Sequence, residues 1–158
     1  MTESVVLREV AETDLPEFFT HQLDPEAGRM AAFVAKDPAD RDAFMAHWAK
    51  IMADKTITIR TIEHDGGVAG HIASFLRDGT PEVTYWIDPK LWGRGIATAA
   101  LEQFLLIVPS RPLFARTASD NRGSIRVLEK CGFRQTATET GYANAREAEI
   151  EEGVFELV

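Results

Sequence analysis

The chain has a single cysteine, Cys131, among 158 residues, so no disulfide can close within it and the core must hold by packing alone. That usage suits a reducing compartment, and a cytoplasmic location is the expectation. No apolar run approaches the ~20 residues needed to cross a bilayer. The opening MTESVVLREV lacks the basic start and long apolar stretch of a signal peptide, so a membrane is not an expected partner. Basic residues are also scarce: 17 Lys and Arg stand against 25 Asp and Glu, for a formal net charge of −8. Such a surface repels a phosphate backbone, which argues against nucleic acid as the main partner, and it attracts a cationic amine. The same surplus also serves plain solubility, so charge alone assigns no substrate. Missing too are G-x-x-x-x-G-K-[ST] and a G-x-G-x-x-G after an early strand, which removes the P-loop and dinucleotide folds. His21, His47 and His64 are scattered without metal-ligand spacing, and no metal is expected. There is no repeat, low-complexity tract or Pro/Gly/Ser linker. With 45% hydrophobic residues, residues 1–158 are expected to form one domain.

What is present reads as alternating strands and helices. Residues 5–10 are predicted as the first strand. Asp14 is then read as a helix N-cap with Pro16 in the first turn, on a helix carrying Leu15, Phe18, Phe19 and Leu23. Residues 24–38 are irregular or hold a short helix. A clearer helix covers 39–53, with Phe44, Trp48, Ile51 and Met52 on one face. Residues 56–63 alternate β-branched and polar side chains. Asp65-Gly66-Gly67 turns them back into a partner strand at 68–76. A second turn at 78–81 leads to a strand at 82–88, giving an antiparallel meander. A helix over 96–108 buries Ile96, Ala100, Leu101, Phe104, Leu105 and Val108. A short strand at 113–117 and a helix at 121–130 closed by Gly132 follow. The final strands are predicted at 133–140 and 153–158. Cys131 reads as a small packed hydrophobe. The run E-A-E-I-E-E from Glu147 to Glu152 reads as a solvated acidic face, or as a lining of the entrance for an amine.

The informative piece is T-Y-W-I-D-P-K-L-W-G-R-G-I-A-T-A-A-L, from Thr84 to Leu101. A strand feeds a short loop with two glycines, and an amphipathic helix begins at once. Gly93 and Gly95 can adopt angles closed to other residues and place no side chain in the way of a ligand. The first helical turn has unpaired N–H groups and a partial positive charge. Together with Arg94 these suit a phosphate or pyrophosphate. A plain strand-to-helix turn would use the same residues.

Two strings settle the matter further. W-G-R-G-I-A, Trp92 to Ala97, resembles the acyl-CoA-binding motif of GNAT acetyltransferases, [QR]-x-x-G-x-[GA], with Trp92 in the Gln/Arg position. The longer string Y-W-I-D-P-x-x-W-G-R-G-I-A-T resembles the RimJ/RimL-like branch, where an aromatic at that place is familiar. Downstream, N-R-G-S-I-R-V-L-E-K-C-G-F, Asn121 to Phe133, is similar to the second family signature, N-x-x-S-x-x-x-x-E-K-x-G-F. The resemblance covers about Glu82 to Phe133. It implies a three-layer α/β/α fold of the α+β class: a twisted, mixed, mostly antiparallel sheet with helices on both faces.

The resemblance also implies roles. The pyrophosphate of acetyl-CoA would lie on the backbone N–H groups of Gly93, Arg94, Gly95, Ile96, Ala97 and Thr98. The pantetheine arm would pair with Trp86, Ile87 and Asp88, in a slot where that strand parts from the next. Asn121 would bond the pantetheine, a role compatible with capping its helix. A backbone N–H near Ile87 would meet the oxyanion. Position 128, where many relatives carry a tyrosine acid, holds Leu128. Ser124 matches the serine that the RimJ/RimL-like branch places near the sulfur and is the substitute candidate, or else a polar residue in the first turn. For the general base, Glu82 leads, since it starts the strand with the acetyl-CoA contacts and shares a face with Thr84 and Trp86. It could equally be an edge carboxylate. His71, on the neighbouring strand, is the second candidate. Tyr85 reads as core or cleft wall. The implied reaction moves an acetyl group from acetyl-CoA to a primary amine by direct attack in a ternary complex. The resemblance leaves room for a homodimer. The rival readings are an acyl-CoA-binding module that senses without catalysis and an interaction domain that has lost CoA binding.

Overall fold

The computed structural model describes residues 4–158. Seven strands form one sheet: β1 Val5–Arg8, β2 Thr58–His64, β3 Gly67–Arg77, β4 Thr80–Ile87, β5 Leu113–Ala118, β6 Arg134–Ala143 and β7 Ala148–Leu157. Their order across the sheet is β1-β2-β3-β4-β5-β7-β6. Every neighbouring pair is antiparallel except β4 and β5. The helices are α1 Leu15–Leu23, α2 Pro25–Ala31, α3 Arg41–Ala53, α4 Ile96–Ile107 and α5 Arg122–Lys130. The mixed, mostly antiparallel sheet between helical layers is the three-layer arrangement expected from the sequence.

The layers follow from strand alternation. Ile62, Ile72, Val83 and Ile87 face α4, where they meet Ile96, Ala100, Leu101 and Phe104, and the same core takes in Leu128 of α5 and Phe155 of β7. On the opposite face Leu15 and Phe18 of α1 pack with Trp48 of α3 and with Ile59 and Val68. Phe44 and Ile51 join that cluster, as the 3.6-residue period requires. Met45 completes it, whereas Met52, in the last turn of α3, is 39% exposed. A small third cluster of Ala32, Ala118 and Ala143, with Phe33 and Ile150, seats the segment after α2 against β5, β6 and β7.

β3 and β4 approach closely at Gly70, opposite Ile87, where an added Cβ would stand 1.9 Å from the Trp86 carbonyl oxygen. Only glycine fits there.

Three sequence expectations are corrected. Asp14 does not cap α1: its side chain makes no capping bond there. Instead it accepts two 2.8 Å bonds from the Arg8 guanidinium, one of 2.8 Å from the Ala11 N–H and one of 2.7 Å from the Thr61 hydroxyl. A buried ion pair outcompetes a local cap, because a desolvated carboxylate needs several donors. The last strand begins at Ala148, not at Gly153, so much of the acidic run is sheet. Alternation turns Ile150 and Glu152 to the α2 side, and Glu149 and Glu151 to the other. The first strand ends at Arg8, before Val10.

Candidate active site

Among the described residues β4 and β5 are the only parallel neighbours, and they share a single register pair, Glu82 opposite Phe114. Beyond it the ladder stops, and a cavity of about 590 Å³ opens between the strands and the starts of α4 and α5. Its walls come from β4 (Glu82 to Ile87), the glycine turn, the first turn of α4, Arg116 and Thr117 of β5, α5, and Met30 and Phe33 on the α2 side.

The glycine turn has the geometry its sequence suggests. Gly93 and Gly95 sit at φ 79° and 76°, left-handed angles that favour glycine. An added Cβ at either would meet nothing within 4 Å, so the space beside the backbone is open. Gly95 is the N-cap of α4, and no side chain caps that end. The amides of its first turn are thus unused by capping side chains, beside the positive end of the helix dipole. Two cations of α5, Arg126 and Lys130, also line the cavity. They stand one turn apart on one helix face, a spacing in the sequence that the motif comparison passed over. Arg94 is exposed on the turn and is not part of the lining. A diphosphate with a long, partly apolar tail fits this combination of open amides, nearby cations and a slot between two strands.

Trp92, in the position where relatives carry Gln or Arg, donates its indole N–H to the Ile87 carbonyl at 3.1 Å. Trp92 therefore ties the loop to the carbonyl of the last residue of β4. Trp86 and Ile87 line the cavity; Asp88 does not, and its carboxylate instead accepts from the Lys90 N–H at 3.0 Å, with His21 Nε2 3.6 Å away. Asn121 lines the cavity and is the N-cap of α5. Its Oδ1 accepts from the Ser124 N–H at 3.2 Å and its Nδ2 donates to the Met30 carbonyl at 3.4 Å.

Glu82 lies at the point where the strands part, with only 3% of its surface exposed. Arg77 donates to its carboxylate, and Arg116 Nε stands 3.4 Å from Oε1. Arg116 in turn meets Glu139 at 2.5 Å and Glu152 at 3.3 Å. Burial raises the cost of the Glu82 charge, and the pairing offsets it; the carboxylates around Arg116 hold its pKa above its usual value, the Glu139 bond most of all. Three carboxylates surround two guanidiniums, an excess of one negative charge. The acidic run thus contributes Glu152 to the lining and does not lie wholly in solvent. Nothing local in the sequence pointed to Arg77 or Arg116, whose roles depend on which strands become neighbours.

His71 does not share this cleft. It sits under α1 and α3, with its ring centroid 4.8 Å from those of Phe18 and Trp48. Its Nδ1 is buried without a hydrogen-bond partner, and burial lowers its pKa to about 3. It is opposite Trp86 in the sheet register, but the aromatic layer covers it. Its expected place beside Glu82 is therefore corrected.

On the other wall, the Tyr85 hydroxyl lies 2.9 Å from Ser124 Oγ. Burial pushes the Tyr85 pKa up to about 12. Leu128 is 1% exposed in the core and presents nothing to the cavity. Cys131 is partly buried, 3.8 Å from the Thr98 carbonyl, and burial raises its thiol to about 11, which fits a packed residue more than a nucleophile. Among the described residues no helix is long and apolar enough to cross a membrane.

The sequence profile of the Acetyltransferase (GNAT) domain matches residues 4–134. The chain belongs to the GNAT acetyltransferase family. No curated protein matches it by sequence. Among solved structures it is similar to RimL, the ribosomal L7/L12 α-N-protein acetyltransferase, in complex with coenzyme A: TM-score 0.82, 15% identity, 98% of this chain and 94% of that one. It is also similar to Mycobacterium smegmatis RimJ in complex with CoA-disulfide: TM-score 0.79, 20% identity, 97% and 81% covered. A third is the microcin C7 self-immunity acetyltransferase MccE in complex with acetyl-CoA and AMP: TM-score 0.80, 16% identity, 98% and 92% covered. At these identities the likeness is one of fold.

Proposed function

We propose that residues 1–158 form one catalytic GNAT domain of the RimJ/RimL-like branch that transfers an acetyl group from acetyl-CoA to the primary amine of a small molecule or protein N-terminus. The observation that carries this reading is the parting of β4 and β5 after one register pair, directly beside an uncapped helix start with two open glycines. A strand with unused backbone groups suits an amide-bearing arm, and the helix start suits its phosphates. The amides from Gly93 to Thr98, with Arg126 and Lys130, would hold the diphosphate. Trp86, Ile87 and Asn121 would hold the arm.

Bound acetyl-CoA supplies a thioester carbonyl as electrophile. The chain then has three tasks. A base must take a proton from the ammonium, and Glu82 lines the cavity where the strands part. A donor must face the developing oxyanion, for which the N–H of Ile87 is the candidate. The departing sulfur needs a hydrogen bond, and Ser124 faces the cavity from α5. The negative excess around Arg116 favours a cationic acceptor over an anionic one. Met30, Phe33 and Phe75 add an apolar wall on that side.

The test is calorimetric titration with acetyl-CoA followed by a CoA-release screen over amino acids, polyamines, peptide N-termini and aminoglycosides. Micromolar binding and amine-dependent release are expected. Binding without release by any amine favours the sensing module, for which the absent tyrosine at position 128 speaks; no binding removes both readings.

A further inference from the structure

Ser124 does not act alone on its wall. The Tyr85 hydroxyl, carried by β4, meets Ser124 Oγ, carried by α5, at 2.9 Å across 39 residues of chain. Either oxygen could be the donor by distance alone, but the chemistry of the two hydroxyls decides. Tyr85 packs against the main apolar core, and Ser124 Oγ is the sole hydrogen-bond partner of its hydroxyl among the described residues. A phenol is the more acidic hydroxyl and the stronger donor, and an alkyl hydroxyl oxygen is the better acceptor, so the favoured arrangement has Tyr85 donating to Ser124. If tyrosine donates, both hydroxyls are served: the phenol is satisfied, and the serine proton is free to turn into the open cavity that both residues line. The rest of Ser124 is held as well, because its N–H is bound to Asn121 Oδ1.

We infer that Tyr85 is a positioning residue for the leaving group: by donating its O–H to Ser124 Oγ it directs the serine O–H at an anionic sulfur in the cavity. This rests on the acetyl-CoA reading above. In the step concerned, the nitrogen–carbon bond of the product forms and the carbon–sulfur bond breaks with its electron pair passing to sulfur. The amine proton goes to the base. The thiolate is stabilised by the Ser124 hydrogen bond and takes its proton from solvent afterwards, so no proton leaves Tyr85. A phenol raised to about 12 by burial stays protonated and keeps donating throughout the working range.

The test needs no known acceptor. CoA itself is bound to the wild-type protein and its thiolate absorbance is followed against pH, with the CoA-free protein subtracted. The subtraction also removes Cys131, the other titratable group that faces Tyr85. Bound thiol in the wild type should ionise at lower pH than free CoA. Tyr85→Phe, which keeps the ring and removes only the oxygen, should raise that pKa by about one unit, a tenfold change in the thiol equilibrium. Ser124→Ala should do the same, and the double variant should go no further than Ser124→Ala alone, since Tyr85 acts through Ser124. A Tyr85→Phe titration identical to wild type overturns the inference, as does a double variant whose shift is the sum of the two singles. CoA that does not bind the wild type at all overturns the acetyl-CoA reading, and this inference with it. Thermal melting of each variant confirms that the fold is intact.

Discussion

Arg116 Nε stands 3.4 Å from Glu82 Oε1, two residues beyond the one position at which β4 and β5 pair. The same guanidinium also binds Glu139 and Glu152, so Glu82 is tied to the last two strands through Arg116 and to β3 through Arg77. A carboxylate in such a network keeps a fixed position, but its lone pairs are shared with cations. Glu82→Gln removes the proton acceptor and leaves the shape. Turnover at neutral pH should fall roughly 10²- to 10⁴-fold with acetyl-CoA affinity little changed, and some rate should return at high pH as free amine accumulates. Steady-state rates from pH 6 to 10 read this out. Near wild-type turnover across that range would remove Glu82 from the mechanism.

Gly95 has a left-handed φ of 76°, and a Cβ there would point into open space. Two costs separate cleanly at this position. Gly95→Val should lose about 1–2 kcal/mol of stability through backbone strain alone. It should also weaken acetyl-CoA binding at least tenfold, about 1.4 kcal/mol, because the side chain enters the phosphate space. Urea unfolding measures the first and calorimetry the second. A strained variant that binds as tightly as wild type would place the phosphates elsewhere.

Gly70 is the opposite case. Its Cβ would lie 1.9 Å from the Trp86 carbonyl oxygen, in rigid backbone. Gly70→Ala should therefore destabilise by about 3 kcal/mol or more, among the larger single-residue effects. It should also disturb the end of β4, and so CoA binding. A shift in the urea midpoint worth less than 1 kcal/mol would mean that β3 and β4 separate easily here.

Acid should weaken the fold in two stages. His71 is lowered from 6.5 to about 3 by burial. A group whose folded pKa is depressed contributes stability above its unfolded pKa and loses it as pH falls toward the folded one. Stability should thus decline from about pH 6.5 downward. Asp14 is lowered from 3.8 to about 2, chiefly by its Arg8 hydrogen bonds. Its contribution, about 2 kcal/mol, is present above about pH 4 and is lost between there and pH 2. His71→Phe should flatten the first stage and Asp14→Asn the second, in urea unfolding as a function of pH. If His71→Phe also changed the pH profile of turnover, the aromatic layer over His71 would not isolate it from the cavity.

Much of this was legible along the chain. The hairpin turn at Asp65-Gly66-Gly67, the apolar stripe of α4, the two glycines at positive φ and the Asn121 cap all depend on residues within about one turn of each other. Local sterics and periodicity decide such features, so one sequence suffices to read them. Asp14 was misread because its local option, capping α1, lost to Arg8 and to Thr61, which β2 brings from 47 residues away. The acidic run concealed a strand because its alternation is between two kinds of surface, one polar and one lining a cavity, and not between polar and apolar.

The sequence by itself determined where the two-glycine turn lies and which helices flank it, since glycine angles and helix starts are set by near neighbours. Only the tertiary structure decided what surrounds the chemistry. It covered His71 with Phe18 and Trp48, gave Glu82 two guanidiniums, and set the Tyr85 hydroxyl against Ser124. Those pairings join segments far apart in the chain, and they exist because strand order and register close the intervening loops. No property of either residue alone carries that information.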